Sequence, residues 1–272
     1  MKKTEFLLAL PVVAAVFFCF ILPYGVSFRS AFSGKVTLWE NYAIMHITLF
    51  TVKQALFSVL VSLAIGLPGA WFIGTSRSKF LSPLRTLSAI PFAMPSILVV
   101  LGFVLFWGNS GWVNRIISAF SGASAIRILY RPEAIILAHG FLNFPLVIRL
   151  AGDGLVRARR AYAPAAASLG ATPLVAVLSV ILPLSFPAIM SAALLVFLYS
   201  FTSFAVVLVL GGGPAATTLS VEIYRHAKVF INYPNAGALA LLETIIAVLF
   251  FLSYVFFAKK SAEVRADTRE WD

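Results

Sequence analysis

A few polar side chains interrupt the long apolar runs of this sequence, and their chemistry is the first clue to what the chain does. His139 and Asn143 are four residues apart and would share one face of a helix. Glu243 lies about two turns into the last apolar run. Ionisable groups in apolar surroundings are costly and require a specific role. Two interpretations stay open: these groups line a path for a polar solute, or they tie helices together, for Glu243 through an ion pair with Lys53.

A second polar group lies in the preceding apolar run. It consists of Ser200, Thr202 and Ser203, interleaved with Phe201 and Phe204. Small hydroxyl side chains beside aromatic rings suit a gate in a translocation path. Hydrogen bonds between packed helices are the alternative role for the same residues.

The sequence motifs of nucleotide hydrolysis and covalent catalysis are absent. There is no GxxxxGK[ST] phosphate loop, no HExxH and no GxSxG. The three histidines are far apart, and the single cysteine, Cys19, cannot contribute to a cysteine metal cluster. The sequence therefore predicts no enzyme activity, no metal site and no cofactor. The net charge of +11 is dispersed among loops, which argues against a nucleic-acid partner.

The elements that must position these groups are membrane-spanning helices. The chain has 272 residues, of which 61% are hydrophobic and 11% charged, and its mean hydropathy is +0.96. Continuous runs of about 20 apolar residues are long enough to cross a bilayer as helices. The sequence predicts an all-α integral membrane protein, a single transmembrane domain over residues 1–272, with six transmembrane helices. The predicted spans are 5–27, 50–73, 84–107, 133–151, 185–210 and 237–257.

Lysine and arginine set the predicted orientation. The cluster Arg157, Arg159 and Arg160 and the basic residues near both chain ends indicate the cytoplasmic side. Both termini are therefore expected in the cytoplasm. Some basic residues remain on the outer side, where incomplete bias and attraction to anionic lipid heads offer one explanation. They include Arg127, Arg131 and Arg225.

Two shorter features modify this plan. Pro91 and Pro95 fall inside the third predicted span and should loosen its helix. The segment 111–120 has apolar residues at helical spacing and predicts either a short interfacial helix or a loop anchored by Trp112.

The segment 161–189 carries the most specific pattern in the chain. Pro164 suits the first position of a short alanine-rich helix, and Gly170 suits its stop in a left-handed conformation. Thr172 followed by Pro173 then predicts the start of a second helix, which enters the membrane. A helix of about seven residues is not stable alone in water. It either docks on a partner or packs as an elbow on its own helix bundle.

This segment resembles the EAA motif of ATP-binding-cassette (ABC) importer permeases. That motif has Glu-Ala-Ala, a glycine four positions later, and an Ile-x-Leu-Pro ending. The residues of this sequence that match it are Ala165, Ala166, Gly170, Leu182 and Pro183. Val180 stands at the isoleucine position, and Pro164 replaces the glutamate. The segments "ILAHGFLNFPLVIRL" (136–150) and "LGGGPAATT" (210–218) are similar to the thiamine and ferric-iron branch of the family, and most to the first half of its two-part permeases.

The resemblance implies a type I importer permease fold in the inner membrane. It implies a cytoplasmic coupling loop at about 152–176 that touches an ATPase subunit, two copies of which power the importer, so that this chain is not itself an enzyme. The coupling residues would be Pro164, Ala165, Ala166, Ala167, Ser168, Gly170, Leu182 and Pro183. It also implies a second permease subunit, identical or different, and an external binding protein that Arg127, Arg131 and Arg225 would contact.

The solute implied by the resemblance is thiamine or a related compound. Ferric iron, a polyamine and a phosphonate are the alternatives within the same class of importer. A secondary transporter driven by an ion gradient is the rival from another class, for which Glu243 is the one candidate ion site.

Overall fold

The computed structural model describes residues 11, 13–33, 36, 43–75, 82–121, 127–211, 213 and 216–267. Helices account for nearly all of these residues, and no strand occurs among them. The α-helices are α1 Leu22–Phe32, α2 Ala43–Thr75, α3 Ser82–Leu87, α4 Ile90–Ala93, α5 Ser96–Trp107, α6 Trp112–Ser121, α7 Pro132–Ser168, α8 Pro173–Ala176, α9 Leu182–Phe201, α10 Ala205–Leu210, α11 Leu219–Tyr224 and α12 Tyr233–Asp267. The π-helical turns are Phe17–Ile21, Val177–Ile181 and Arg225–Val229.

Five described helical segments are long and apolar enough to cross a membrane. They are Ile44–Ile73, Ser96–Phe120, Pro132–Ser168, Pro173–Phe201 and Tyr233–Val264. A shorter apolar helix, Val13–Val26, lies within the first predicted span, whose earlier part is outside the described residues. The predicted all-helical membrane architecture is confirmed, and the count of six stays a prediction.

The third predicted span is divided into short helices, as its prolines suggested. Helix α4 begins beside Pro91, and the chain then turns at Met94, which has extended backbone angles. A residue that precedes proline is pushed out of the helical region by the proline ring, and Pro95 follows here. Helix α5 starts afresh after Pro95. The segment Trp112–Ser121 is helical, as one alternative for 111–120 predicted, and its position at the membrane interface stays a prediction.

The described residues form two compact units, one from those within 1–48 and 218–246 and one from those within 49–217 and 247–272. The core of the second unit is the pairing of α7 with α9. Small residues allow it, because a Cβ added at Gly154 would lie 2.6 Å from the Cβ of Ala188. Helix α2 approaches α7 just as closely, since a Cβ at Gly66 would lie 2.5 Å from that of Val147.

The first unit contains α1, α11 and residues 233–246 of α12. Leu219 and Val221 of α11 are buried, as are Ala236 and Leu239 of α12. Ser220 of α11 hydrogen-bonds Glu243 of α12 and so joins the two helices.

The fourth predicted span is longer than expected. Helix α7 does not end near Ala151 but continues through Pro164 to Ser168, for 37 residues. The prediction of a separate seven-residue helix that begins at Pro164 is therefore wrong. Extending an existing helix needs no new nucleus, and Pro164 is exposed, so that water can bond the carbonyl of Arg160 that the proline leaves free.

Cysteine labelling tests the orientation of this architecture. In a Cys19→Ser background, Gly213→Cys should react with a membrane-impermeant maleimide in intact cells, because Gly213 follows the outer end of α10. Ser168→Cys should react only after the membrane is permeabilised, because the arginines of α7 predict that its end lies in the cytoplasm. Labelling of both cysteines from the same side would contradict the predicted topology.

Candidate functional site

The sharp turn between α7 and α8, which we name the elbow, is closed by local hydrogen bonds. Gly170 has a φ of +82°, as its predicted role as a left-handed stop requires. The N–H of Ala171 donates to the carbonyl of Ala166, and the N–H of Gly170 donates to that of Ala167, both at 3.0 Å. This pair of bonds is a Schellman motif, which satisfies carbonyls at the helix end. The predicted cap of α8 is also confirmed, since the Thr172 hydroxyl accepts a bond from Val175 N–H at 3.4 Å.

One face of this elbow packs on its own bundle. Ala158 and Leu155 of α7 share a buried cluster with Ile181 at the start of α9 and Ala70 of α2. At the same level the Arg159 guanidinium lies 5.0 Å from the ring centre of Trp71. These contacts fix the angle between the two arms of the elbow.

The other face of the elbow is apolar and exposed. Leu169 is 89% exposed and Leu174 is 68% exposed, and Val175 and Leu178 are also exposed. We name these four residues the elbow patch. A helix of 37 residues is about 55 Å long, whereas the hydrocarbon core is about 30 Å thick, so the end of α7 extends well beyond it. Leu169, beyond this end, therefore lies where an exposed leucine meets water unless another protein covers it.

The match Leu182-Pro183 lies at a π-helical turn. The N–H of Leu182 donates to the carbonyl of Val177, five residues earlier. Proline has no N–H and its ring clashes with the carbonyl four residues before it, so the wider turn makes room for Pro183 against Ser179. The helix that leaves the elbow is thus continuous into the membrane.

Five polar residues within the apolar helices α2, α7 and α9 form a buried network in the second unit. Gln54 Nε2 donates to the backbone carbonyl of Ser200 at 2.9 Å. The side-chain amide of Asn143 donates to the Ser200 hydroxyl at 3.2 Å. His139 Nδ1 lies 3.2 Å from Gln54 Oε1 and 3.4 Å from Ser58 Oγ. We name Gln54, Ser58, His139, Asn143 and Ser200 the polar bracket, because it holds α2, α7 and α9 together.

The hydrogen bonds also assign the histidine tautomer. Gln54 Oε1 accepts, so His139 Nδ1 carries the proton and donates to it. His139 Nε2 is then an acceptor, and it is buried without a partner among the described residues. The observed contacts of His139 and Asn143 are hydrogen bonds between helices, in line with the interpretation that these residues hold helices together.

The polar bracket lies beside a break in the fifth predicted span. Helix α9 ends at Phe201, residues 202–204 are not helical, and α10 begins at Ala205. The Thr202 hydroxyl donates back to the carbonyl of Leu198 at 2.9 Å. Thr202 and Phe204 are exposed and Ser203 is half-buried, and their role in a path stays a prediction. A break in hydrocarbon requires partners for the freed carbonyls, and Gln54 supplies one for Ser200.

The residues of α2 in the polar bracket, Gln54 and Ser58, were not predicted from the sequence. Gln54, Ser58 and Ser62 recur every four residues along one face of α2, and Thr51 adds a polar group one turn earlier. All four are buried. A polar stripe within an apolar span is a readable signal for a helix contact.

The remaining predicted residues are distributed over both units. Glu243 accepts a hydrogen bond from Ser220, a partner that the sequence analysis did not consider. Arg127 and Arg131 are exposed. Arg225 forms an ion pair with Glu222 at 2.7 Å and lies 5.6 Å from the ring centre of Phe230. Among the described residues there is no group of three His, Cys, Asp or Glu side chains that could hold a metal ion.

The polar bracket makes a prediction for stability. Gln54→Leu keeps much of the side-chain volume but removes the bonds to Ser200 and His139, whose polar atoms stay buried. Leaving buried partners unsatisfied costs about 1–3 kcal/mol, so the apparent Tm in detergent should fall by several degrees. Ser62→Ala is the control, because its hydroxyl bonds only Ser58 of the same helix among the contacts found. Equal losses in the two variants would show that the bracket is not special.

Comparison with known proteins agrees with this architecture. Residues 66–262 match the family described as "Binding-protein-dependent transport system inner membrane component". The thiamine transport system permease protein ThiP of Haemophilus influenzae is 31% identical over 242 residues, which cover 85% of this chain and 44% of the relative. The molybdenum transport system permease protein ModB of Mycobacterium tuberculosis is 29% identical over 248 residues, which cover 89% of this chain and 90% of that protein. The chain thus spans less than half the length of the thiamine permease.

Solved structures show the same fold. A bacterial ABC transporter that imports the polysaccharide alginate matches with a TM-score of 0.79 at 18% identity, over 96% of this chain and 95% of that one. The inward-facing MetNI methionine transporter matches with a TM-score of 0.57 at 18% identity, over 83% and 98%. The resemblance to ABC importer permeases is confirmed. The chain belongs to the family of binding-protein-dependent transport system inner membrane components, and it is a multi-pass inner-membrane protein with the importer permease fold.

Proposed function

We propose that this chain is the permease subunit of an ATP-driven importer and that its elbow docks on a cytoplasmic ATPase. The observation that carries the proposal is the elbow patch, an exposed apolar surface whose Leu169 lies past the end of the 37-residue helix α7. Exposed apolar clusters of this kind mark protein contacts. The coupling residues are those matched to the motif, Pro164 to Ser168 with Gly170, Leu182 and Pro183.

The chemistry of the docking follows from the absence of charged residues in the segment after Arg160. Between Arg160 and Glu222 the sequence contains no charged residue. Because Pro164 replaces the motif glutamate, this elbow offers no carboxylate to its partner. Contacts of the elbow patch therefore depend on apolar burial and backbone hydrogen bonds, whereas the exposed Arg160 in the same coupling loop adds a salt-dependent contribution. ATP hydrolysis belongs to the ATPase, of which the complex holds two copies.

The solute we propose is thiamine, in line with the identity to the thiamine permease. Molybdate is the second candidate, because the match to the molybdenum permease covers nearly its whole length. In either case a second permease subunit completes the path. An external binding protein delivers the solute to the outer loops, where Arg127 and Arg131 are exposed. Arg225 is the weaker candidate for that contact because Glu222 already holds it.

A matched pair of substitutions at Gly170 tests the docking. Asn and Asp have almost the same shape, and both tolerate the left-handed conformation better than other side chains. No atom lies within 4 Å of a Cβ placed at Gly170, so both should fold. We expect Gly170→Asn to retain thiamine uptake, whereas Gly170→Asp buries a charge at the ATPase contact and uncouples uptake from ATP hydrolysis.

The measurement uses the purified complex in proteoliposomes with the binding protein. Co-purification of an ATPase separates an importer from a transporter driven by an ion gradient. If Gly170→Asp supports normal uptake at normal expression, the elbow is not the docking element.

The outer arginines make a kinetic prediction. Reversal of Arg127 and Arg131 to Glu should slow the association of the binding protein with the reconstituted complex, because exposed charges mainly steer encounter. The deficit should shrink at 1 M salt, where the Debye length is about 3 Å. Lys259→Glu with Lys260→Glu is the control, since it makes the same charge change at the cytoplasmic end of α12. An unaltered association rate at low salt would show that these arginines do not contact the binding protein, and incomplete topological bias and attraction to anionic lipid heads would then explain them.

A further inference from the structure

Glu243 lies within an otherwise uncharged span. It lies ten residues after Tyr233, the first residue of α12, which corresponds to about 15 Å along the helix, and it is about two turns inside the predicted span 237–257. From Tyr233 to Ala258 the sequence contains no other charged residue. A carboxylate at this depth faces protein or an aqueous cavity, because lipid cannot solvate it.

Among the described residues of its own unit, the contacts found for Glu243 include no partner of opposite charge. Within the described part of its unit it accepts one hydrogen bond, from the Ser220 hydroxyl. The nearest cation in sequence to Ser220 is Arg225, which is already held by Glu222 and lies over Phe230. Both Glu243 and Ser220 are half-buried, so part of each side chain is accessible. A hydroxyl orients a carboxylate but does not neutralise it.

We propose that Glu243, oriented by Ser220, binds the cationic group of the transported solute within the membrane. The proposal rests on the proposed importer function and narrows its substrate class to organic cations. An incoming cation supplies a charge of opposite sign, and the hydrogen bond from the Ser220 hydroxyl orients Glu243 Oε1.

The site also discriminates between the two candidate solutes. Thiamine carries a permanent positive charge on its thiazolium ring, which a carboxylate in a weakly polar setting attracts strongly. Molybdate is a dianion, and the same carboxylate repels it. A permease that carries Glu243 in its path therefore favours thiamine, or another organic cation, over an oxyanion.

The test compares charge variants in the reconstituted complex with its ATPase and binding protein. Glu243→Gln keeps the shape and removes the charge, and Glu243→Asp keeps the charge. Glu263→Gln is the control, because Glu263 is exposed near the cytoplasmic end of the same helix. We expect the half-saturating thiamine concentration for uptake to rise roughly tenfold or more in Glu243→Gln only. ATPase activity without substrate should be unchanged in Glu263→Gln.

The outcomes separate this site from the importer function. Equal thiamine uptake by the wild type and Glu243→Gln overturns the site and leaves the importer standing. Import of molybdate and not thiamine by the wild type does the same. Import of no solute despite a bound ATPase and binding protein overturns the proposed function and the site with it.

A measurement on the wild type covers the case in which Glu243→Gln fails to assemble. Dicyclohexylcarbodiimide modifies carboxyl groups within membranes, and mass spectrometry of peptides reports each site. Thiamine should slow the modification of Glu243 but not that of Glu263, and molybdate should slow neither. Modification of Glu243 at the same rate with and without thiamine overturns the proposal.

Discussion

The structure depends on the need of every backbone group in hydrocarbon for a hydrogen-bond partner, and the bond from Gln54 to the carbonyl of Ser200 meets that need at a helix break. Hydrocarbon offers no partner to a free backbone group, so a span can break only where the protein itself supplies one. Helix α9 ends at Phe201, one residue after that carbonyl, and α10 starts after a gap of three residues. Where proline forces a smaller disturbance, at Pro183, the helix widens into a π turn and keeps its bonds.

The same constraint explains the elbow. Past the hydrocarbon, α7 can tolerate Pro164 because water reaches the freed carbonyl, and at Gly170 the chain reverses through bonds of its own backbone. The short helix that seemed to need a partner for stability is the end of a long one. What the elbow lacks is cover for its exposed leucines, and this lack indicates a partner more directly than helix stability does.

Several of these structural features could be predicted from the sequence because they depend on local chemistry. The stop at Gly170, the cap at Thr172 and the breaks at Pro91 and Pro95 each depend on one residue and its neighbours, and each was predicted. The continuity of α7 was not, because proline acts as a helix start or as a tolerated interior residue according to what precedes it in space. The partners of His139 and Glu243 were also out of reach, since Gln54 is 85 positions from His139 and only the packing of helices brings them together.

The two sites share their supports. Helix α7 carries Asn143 of the polar bracket at one level and Ala166 of the elbow at another, and α9 carries Ser200 and, at its start, Leu182. Gly154 lets these helices pack with backbones close together, so that sliding of one past the other would drive Ala188 into the backbone of α7. A force applied at the elbow is therefore carried by both helices as a unit. Beyond α9 the chain leaves the helix at 202–204, where Thr202 N–H still bonds the carbonyl of Leu198 and the carbonyl of Phe204 accepts the bond from Leu208 that begins α10.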